Sequence, residues 1–138
     1  MQLRLAAFVL AALALVGCSA SISIGGAEGA GTITFGTSVT GTDLSGQTST
    51  FAAGSTLWWR AVLNDQAKTS SLTLVFSSKD ASGNLTQIGT QPIPVSDQTA
   101  NLFTGSLDLS VTDVGPGTYQ ITLNRDSTVL STGTFTVQ

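Results

Sequence analysis

The chain has 138 residues, which is enough for one domain once an export signal is set aside. Only 9% of the residues are charged, the formal net charge is -3, and no basic run could neutralise a phosphate backbone, so nucleic-acid binding is excluded. The single Cys excludes an internal disulfide, and the absence of His removes the usual general base and metal ligand, so we expect no metal and no cofactor.

Residues 1–17 have the three consecutive parts of an export signal. Arg4 supplies a positive charge near the start. An apolar run from Leu5 to Val16 follows, and it is too short to cross a bilayer as a stable helix. The run ends in Leu15-Val16-Gly17-Cys18, with Ser19 next.

The segment Leu15-Val16-Gly17-Cys18 resembles the lipobox of bacterial lipoproteins. In that family the Cys sulfur is acylated and the signal peptide is cut just before it. The resemblance implies that Cys18 is the lipidation site, that it begins the mature chain, and that a membrane is a partner. Ser19 in place of Asp implies the outer membrane in a Gram-negative source, and otherwise the outer face of the cell membrane. The alternative is an ordinary secretory leader cut near Ala20.

Residues 18–31 are rich in Ser, Ala and Gly. This composition is typical of a flexible linker, so we expect a lipidated Cys followed by a tether. The folded domain is predicted at 32–138.

Beyond residue 31, apolar and polar residues alternate with period two and are interrupted by turn residues, which predicts half-buried strands. Pro92 and Pro94 are expected to end the fourth strand. Seven strands favour an all-β, seven-stranded, antiparallel β-sandwich of immunoglobulin-like type over a barrel. The apolar residues that mark these strands are, strand by strand, Ile33, Phe35 and Val39; Leu57, Trp59, Ala61 and Leu63; Leu72, Leu74 and Phe76; Leu85 and Ile88; Phe103, Leu107, Leu109 and Val111; Tyr119, Ile121 and Leu123; and Val129, Phe135 and Val137.

The stretch from Asp113 to Tyr119 resembles the tyrosine corner of immunoglobulin-like domains. The resemblance implies that the Tyr119 hydroxyl bonds back to the preceding turn. Ile121 stands where antibody domains have a disulfide Cys, and Phe76 lies on the strand where they carry a Trp. The last two strands, with Gly117-Thr118-Tyr119 and Phe135-Thr136-Val137, also resemble small immunoglobulin-like domains of bacterial envelope proteins. Both resemblances imply structural roles and no activity; the structural residues are Trp59, Phe76, Tyr119, Ile121 and Phe135.

No arrangement of side chains in the sequence indicates catalysis. Serine and threonine residues have no His to activate them, and Lys68 and Lys79 lie among polar residues at strand ends, where a Lys normally stays solvated. Most Asp residues fall in predicted turns, where short carboxylates cap backbone amides. Asp108 is expected to point outward from its strand. We therefore predict that the protein is not an enzyme.

Trp58-Trp59-Arg60 is the strongest candidate for a contact surface. Neighbouring residues of a strand point to opposite faces, so an inward Trp59 places Trp58, Arg60 and Val62 outward. A Trp beside an Arg forms an amphipathic patch suited to a partner protein or a glycan. The alternative is that the tether or the first strand covers Trp58.

These observations predict a membrane-anchored, non-catalytic envelope lipoprotein whose immunoglobulin-like domain binds an envelope protein or a polymer. The alternatives are a spacer without a ligand, and a hydrolase or protease inhibitor that acts through its loops.

Overall fold

A computed structural model describes residues 30–110 and 114–138. These residues form an all-β structure of ten strands without a helix, which confirms the predicted fold class. The predicted signal peptide, the lipobox with Cys18, most of the predicted tether, and Val111 and Asp113 lie outside the described residues.

A strand is present at each of the seven predicted positions, and three further strands are short. The ten strands are β1 (Gly31–Gly36), β2 (Ser38–Thr40), β3 (Asp43–Ser45), β4 (Thr50–Phe51), β5 (Thr56–Val62), β6 (Ser71–Lys79), β7 (Leu85–Pro94), β8 (Leu102–Asp108), β9 (Gly117–Arg125) and β10 (Thr128–Val137).

Eight strands form one sheet in the order β7-β6-β9-β10-β1-β5-β8, with β4 paired to the end of β10, while β2 and β3 form a separate hairpin. One groove is lined by residues of β6 and β7 and by Leu107 of β8. The sheet therefore curls, and its two end strands approach each other. The inward side chains of both halves join a single core.

The core follows the predicted alternation most closely on β5, where Leu57, Trp59 and Ala61 are buried while the residues between them are not. At its centre the Phe135 ring contacts several other aromatic rings, with centroids from 5.2 Å (Phe35) to 6.1 Å (Phe51) away. Burying one such side chain contributes about 1.5–3 kcal/mol. The aromatic cluster therefore joins strands from both halves of the sheet.

Val39 does not share the first strand with Ile33 and Phe35, as the sequence predicted. β1 ends at Gly36, and Val39 lies half-buried in the hairpin opposite Leu44. A Cβ atom at Gly36 would lie 2.6 Å from the Ser45 carbonyl oxygen, so only glycine lets the hairpin fold this closely against β1.

Of the two prolines that were predicted to end the fourth strand, only Pro94 lies at its end, because β7 runs through Pro92. β7 is an end strand of the sheet. The Val95 N–H donates to the Ser70 carbonyl, 2.9 Å away, so the nitrogens of Pro92 and Pro94, on the alternate residues, point away from β6. An edge position tolerates proline because no ladder hydrogen bond is lost there.

Three further apolar residues of the predicted strands do not face the core. Leu85 and Ile88 are 47% and 46% exposed, since they lie on the edge strand where its pairing with β6 is irregular. On β10 a register shift between Val129 and Ser131 leaves Val129 half-buried and turns Leu130 inward. A bulge inserts one extra residue into a strand, so the residues on the two sides of the bulge point to opposite faces from those that strict alternation predicts.

The predicted antiparallel arrangement fails at two pairs, since β1 and β4 each run parallel to β10. Consecutive parallel strands need a long crossover connection, but β1 and β10 are the first and last strands and are not consecutive. The rest of the chain separates them, so a parallel pair requires no additional connection. This pair joins the two halves of the curled sheet.

Candidate functional site

The candidate surface is the outer face of β5, where Trp58 and Arg60 are half-buried and Val62 is 37% exposed. β5 pairs with β1 on one side and β8 on the other, so each outward residue has two neighbours in register. The three rows are Gly36–Trp58–Ser106, Thr34–Arg60–Thr104 and Thr32–Val62–Leu102.

The hairpin of β2 and β3 leans over this face. Arg60 Nε donates a hydrogen bond to the Thr42 carbonyl, 2.9 Å away. A Cβ atom at Gly36 would lie 3.4 Å from Leu44 Cδ2, which puts Leu44 above the register partner of Trp58. On the other side of Trp58, Ser106 is small and exposed. The face is therefore covered from the β1 side and open towards β8.

Sequence reasoning missed this hairpin, although it left a signal. Gly41 adopts a φ of 64°, which favours glycine, in the turn between Val39 and Leu44. The Thr-Gly-Thr-Asp sequence around it is rich in turn residues. Strands of three residues are too short for alternation to reveal them.

Trp59 lies on the inner face and is 1% exposed. Its indole covers Gly105, its register partner on β8, so closely that a Cβ atom there would lie 2.5 Å from Cζ2. The indole Nε1 is buried and has no hydrogen-bond partner among the described residues. Gly105 therefore makes room for the largest buried side chain of the core. The other residues predicted to be structural, Phe76, Tyr119, Ile121 and Phe135, are also buried.

Tyr119 has the hydrogen bond that a tyrosine corner requires. Its hydroxyl donates to the Gly115 carbonyl at 2.7 Å, four residues upstream. Its ring packs against Phe76 and Phe135, with centroids 5.4 Å and 5.7 Å away. The bond fastens the turn before β9 to the aromatic core.

Several carboxylates bind amides of their own turns. Asp80 accepts hydrogen bonds from the backbone N–H groups of Ser82 and Asn84, both at 2.9 Å, and from the Asn84 side-chain amide at 3.1 Å. These hydrogen bonds hold the pKa of Asp80 below its ordinary value, and the bond from the backbone amide of Asn84 has the largest effect. Asp97 accepts hydrogen bonds from the backbone N–H and the hydroxyl of Thr99. Asp108 accepts the same two bonds from Ser110.

The loop after β5 is tied down at several points. Asp65 pairs with Lys68 Nζ at 2.9 Å, and this bond is the main cause that lowers the pKa of Asp65. The Arg125 guanidinium donates to the Ala67 carbonyl at 3.0 Å. Lys68, which the sequence places among polar residues at a strand end, is therefore paired with a carboxylate. Among residues 30–110 and 114–138, no three His, Cys, Asp or Glu side chains form a group able to hold a metal ion.

The open side of the curled sheet contains a mainly apolar groove of about 140 Å³. It lies between β8 at one end of the sheet and β6 and β7 at the other. Its lining residues are Leu74, Phe76, Gly89, Thr90, Gln91 and Leu107.

No helix in the described part of the chain is long and apolar enough to span a bilayer.

No family model matches the chain, and no curated protein matches it either. Among solved structures, the chain is similar to an immunoglobulin-like protein from Pseudomonas aeruginosa, with 16% identity, coverage of 77% of this chain and 91% of that one, and a TM-score of 0.49. It is also similar to the soluble domain of PmoD from a Methylocystis species, with 16% identity, coverage of 77% and 89%, and a TM-score of 0.42. A third similar structure is a superoxide reductase (neelaredoxin) from Ignicoccus hospitalis, with 13% identity, coverage of 66% and 74%, and a TM-score of 0.36.

Proposed function

We propose that this chain is a lipid-anchored, non-catalytic binding module of the bacterial cell envelope. Cys18 carries the lipid, residues 18–31 form the tether, and the domain that follows is an immunoglobulin-like sandwich that contacts an envelope protein or a polymer. The lipobox resemblance supports the anchor and the outer-membrane location. No cofactor other than the covalent lipid takes part.

The strand pairing supports the immunoglobulin-like assignment. β1, β5 and β8 lie side by side in that order, as strands A, B and E do in immunoglobulin domains. β6, β9 and β10 lie side by side in that order, as strands C, F and G do. The Tyr119 hydroxyl bond at the start of the F-like strand adds to this correspondence.

The observation that carries the binding function is the outer face of β5. A half-buried Trp58 is held between the hairpin and an open, small-residue side, next to an Arg60 that the hairpin carbonyl orients. Aromatic side chains fixed in this way give large contact area at little entropic cost, and rows of Thr and Ser on both sides supply hydroxyl groups. The carboxylates of Asp80 and Asp97 accept hydrogen bonds from amides of their own turns, which is a structural role.

The test compares two faces of the same domain. Trp58→Ala with Arg60→Ala, and separately Val62→Asp, are expected to lower recovery of the partner from solubilised envelope by about tenfold or more while the domain stays folded. Gln120→Ala with Thr122→Ala, on the outer face of β9, is the matched control and should leave recovery unchanged. Equal recovery from all variants would remove the proposal.

The anchor is tested separately by mass spectrometry of the mature N-terminus. We expect acyl groups on Cys18, and we expect Cys18→Ser to release the protein from the membrane. An unmodified sulfur or a cut at another position would contradict the anchoring.

A further inference from the structure

Among the strands that the structure describes, β8 is an end strand of the sheet and pairs only with β5. The Leu63 N–H donates to the Asn101 carbonyl at 2.8 Å, and the Leu109 N–H donates to the Ser55 carbonyl at 2.9 Å. Backbone groups of alternate residues point to the same side of a strand, so those of Thr104 and Ser106 point away from β5. No other described strand pairs with them.

The two end strands differ in how they are protected. Natural proteins block exposed edges with prolines, bulges or charges, and β7 has Pro92 and Pro94 at outward positions and a register shift near Ile88. β8 has no proline, no shift of register and no charged residue before Asp108. An edge that is left open beside a protected one indicates that a strand pairs with it.

We propose that β8 pairs with β8 of a second copy of this chain, in antiparallel orientation about a two-fold axis at Gly105. Gly105 is the midpoint of Leu102–Asp108, so this register pairs the whole strand. It places Thr104 of each copy opposite Ser106 of the other, and both residues have outward backbone groups. Such a pair exchanges both N–H···O=C bonds in an antiparallel ladder.

Charge does not oppose a second copy in this register. The chain is acidic, and its β8 has Asp108 as its one charged residue. The two-fold axis places each Asp108 opposite Leu102 of the other copy, with the two carboxylates about 20 Å apart at about 3.4 Å per residue. Like charges therefore stay beyond the range of strong repulsion at physiological salt.

The groove gives the same register an apolar contact. Leu107 lies at the wall of the groove and faces inward, as Phe103 does, and both are half-buried. Pairing about Gly105 puts Phe103 of the second copy opposite Leu107. Its ring then extends the apolar surface at the mouth of the groove, which has no such neighbour in one copy alone.

This inference does not depend on the proposed function, because it uses the edge of β8 and leaves the outer face of β5 open. Trp58→Ala should therefore leave the dimer intact. Loss of the dimer would leave partner binding at β5 to be judged by its own assay.

The test is sedimentation equilibrium of the full chain in detergent, where we expect a monomer–dimer equilibrium. Thr104→Pro removes an outward N–H without removing a bond to β5 and should raise the dimer dissociation constant by about tenfold. Thr90→Pro is the matched control, since it removes an outward N–H from the edge of β7. It should leave the dissociation constant unchanged.

A photo-reactive residue in place of Ser106 provides a second measurement in intact membranes. We expect a cross-linked product of twice the chain mass, and Thr104→Pro should abolish it. A wild-type chain that stays monomeric, equal weakening by both prolines, or the absence of the twice-mass product would each overturn the proposal. A Ser106 product of another mass that persists in the Trp58→Ala, Arg60→Ala variant would also overturn it, because it would identify a foreign strand at the edge and not the partner of the β5 face.

Discussion

Gly105→Ala tests the packing on which the core of β5 and β8 depends. The added Cβ atom would lie 2.5 Å from Trp59 Cζ2, 2.7 Å from Cε2 and 3.0 Å from Nε1. Carbon atoms pack best at about 3.5–4.0 Å, so the indole or the β8 backbone must move by about 1 Å. Trp59 is 1% exposed, and buried surroundings resist such a shift. We expect a loss of about 1–3 kcal/mol in the free energy of unfolding.

Equilibrium urea unfolding measures this loss as a lower midpoint at unchanged slope. The melting temperature should fall by about 4–8 °C for each kcal/mol in a domain near this size. Gly89→Ala is the control, because its added Cβ atom would meet no atom within 4 Å. We expect that variant to stay within about 0.5 kcal/mol of the wild type.

A double-mutant cycle separates the contact with Trp59 from other effects of the alanine. In a Trp59→Phe background the smaller ring leaves space above residue 105, so Gly105→Ala should cost less there. Residues in contact show coupling energies of about 0.5–3 kcal/mol. A wild-type midpoint for Gly105→Ala, or additive effects of the two substitutions, would refute the packing argument.

Two further predictions concern the tyrosine corner and a turn carboxylate. Tyr119→Phe keeps the stacked ring but removes the hydroxyl bond to Gly115, and we expect a loss of about 1 kcal/mol in urea unfolding, whereas an unchanged midpoint would contradict a stabilising bond. The pKa of Asp80 is lowered in the folded state, so its stabilising contribution is present above the unfolded pKa, near 3.9, and is lost as pH falls through the folded pKa. The melting temperature should therefore fall below about pH 4, and Asp80→Asn should reduce the fall, while parallel pH profiles of the two proteins would contradict this.

Alternation in the sequence predicted the faces of the paired strands well, because one side of each strand meets the core and the other does not. On β5 it assigned Trp59 inward and Trp58 outward, as the structure has them. The prediction failed where a register shift or an edge position breaks the link between alternation and burial. The register shift on β10 exchanged Val129 for Leu130, and the edge position of β7 left Leu85 exposed.

The candidate surface was only partly predictable for the same reason. The alternation of side chains along one strand determined which face Trp58 and Arg60 occupy. The hairpin that leans over them comes from a separate pair of three-residue strands. Nothing in the sequence indicated that the missing side chain of Gly105 accommodates Trp59. Which residue lies across from a glycine depends on strand register, and register depends on the whole sheet.

The two sides of the curled sheet differ in whether their described strands are fully paired, and both proposed surfaces lie on the side that is not. On the closed side, Cβ atoms at Gly31 or Gly133 would collide with backbone of the neighbouring strand, so these glycines let β1 lie tightly between β5 and β10. The Ser131 hydroxyl, which donates to the Val62 carbonyl at 3.2 Å, fastens the same join. The open side instead ends in the edge of β8, whose one charged residue is Asp108. The proposed partner surface on β5 and the proposed dimer edge on β8 thus belong to one half of the sheet, and because an outer face and a strand edge point in different directions, both can be occupied at once.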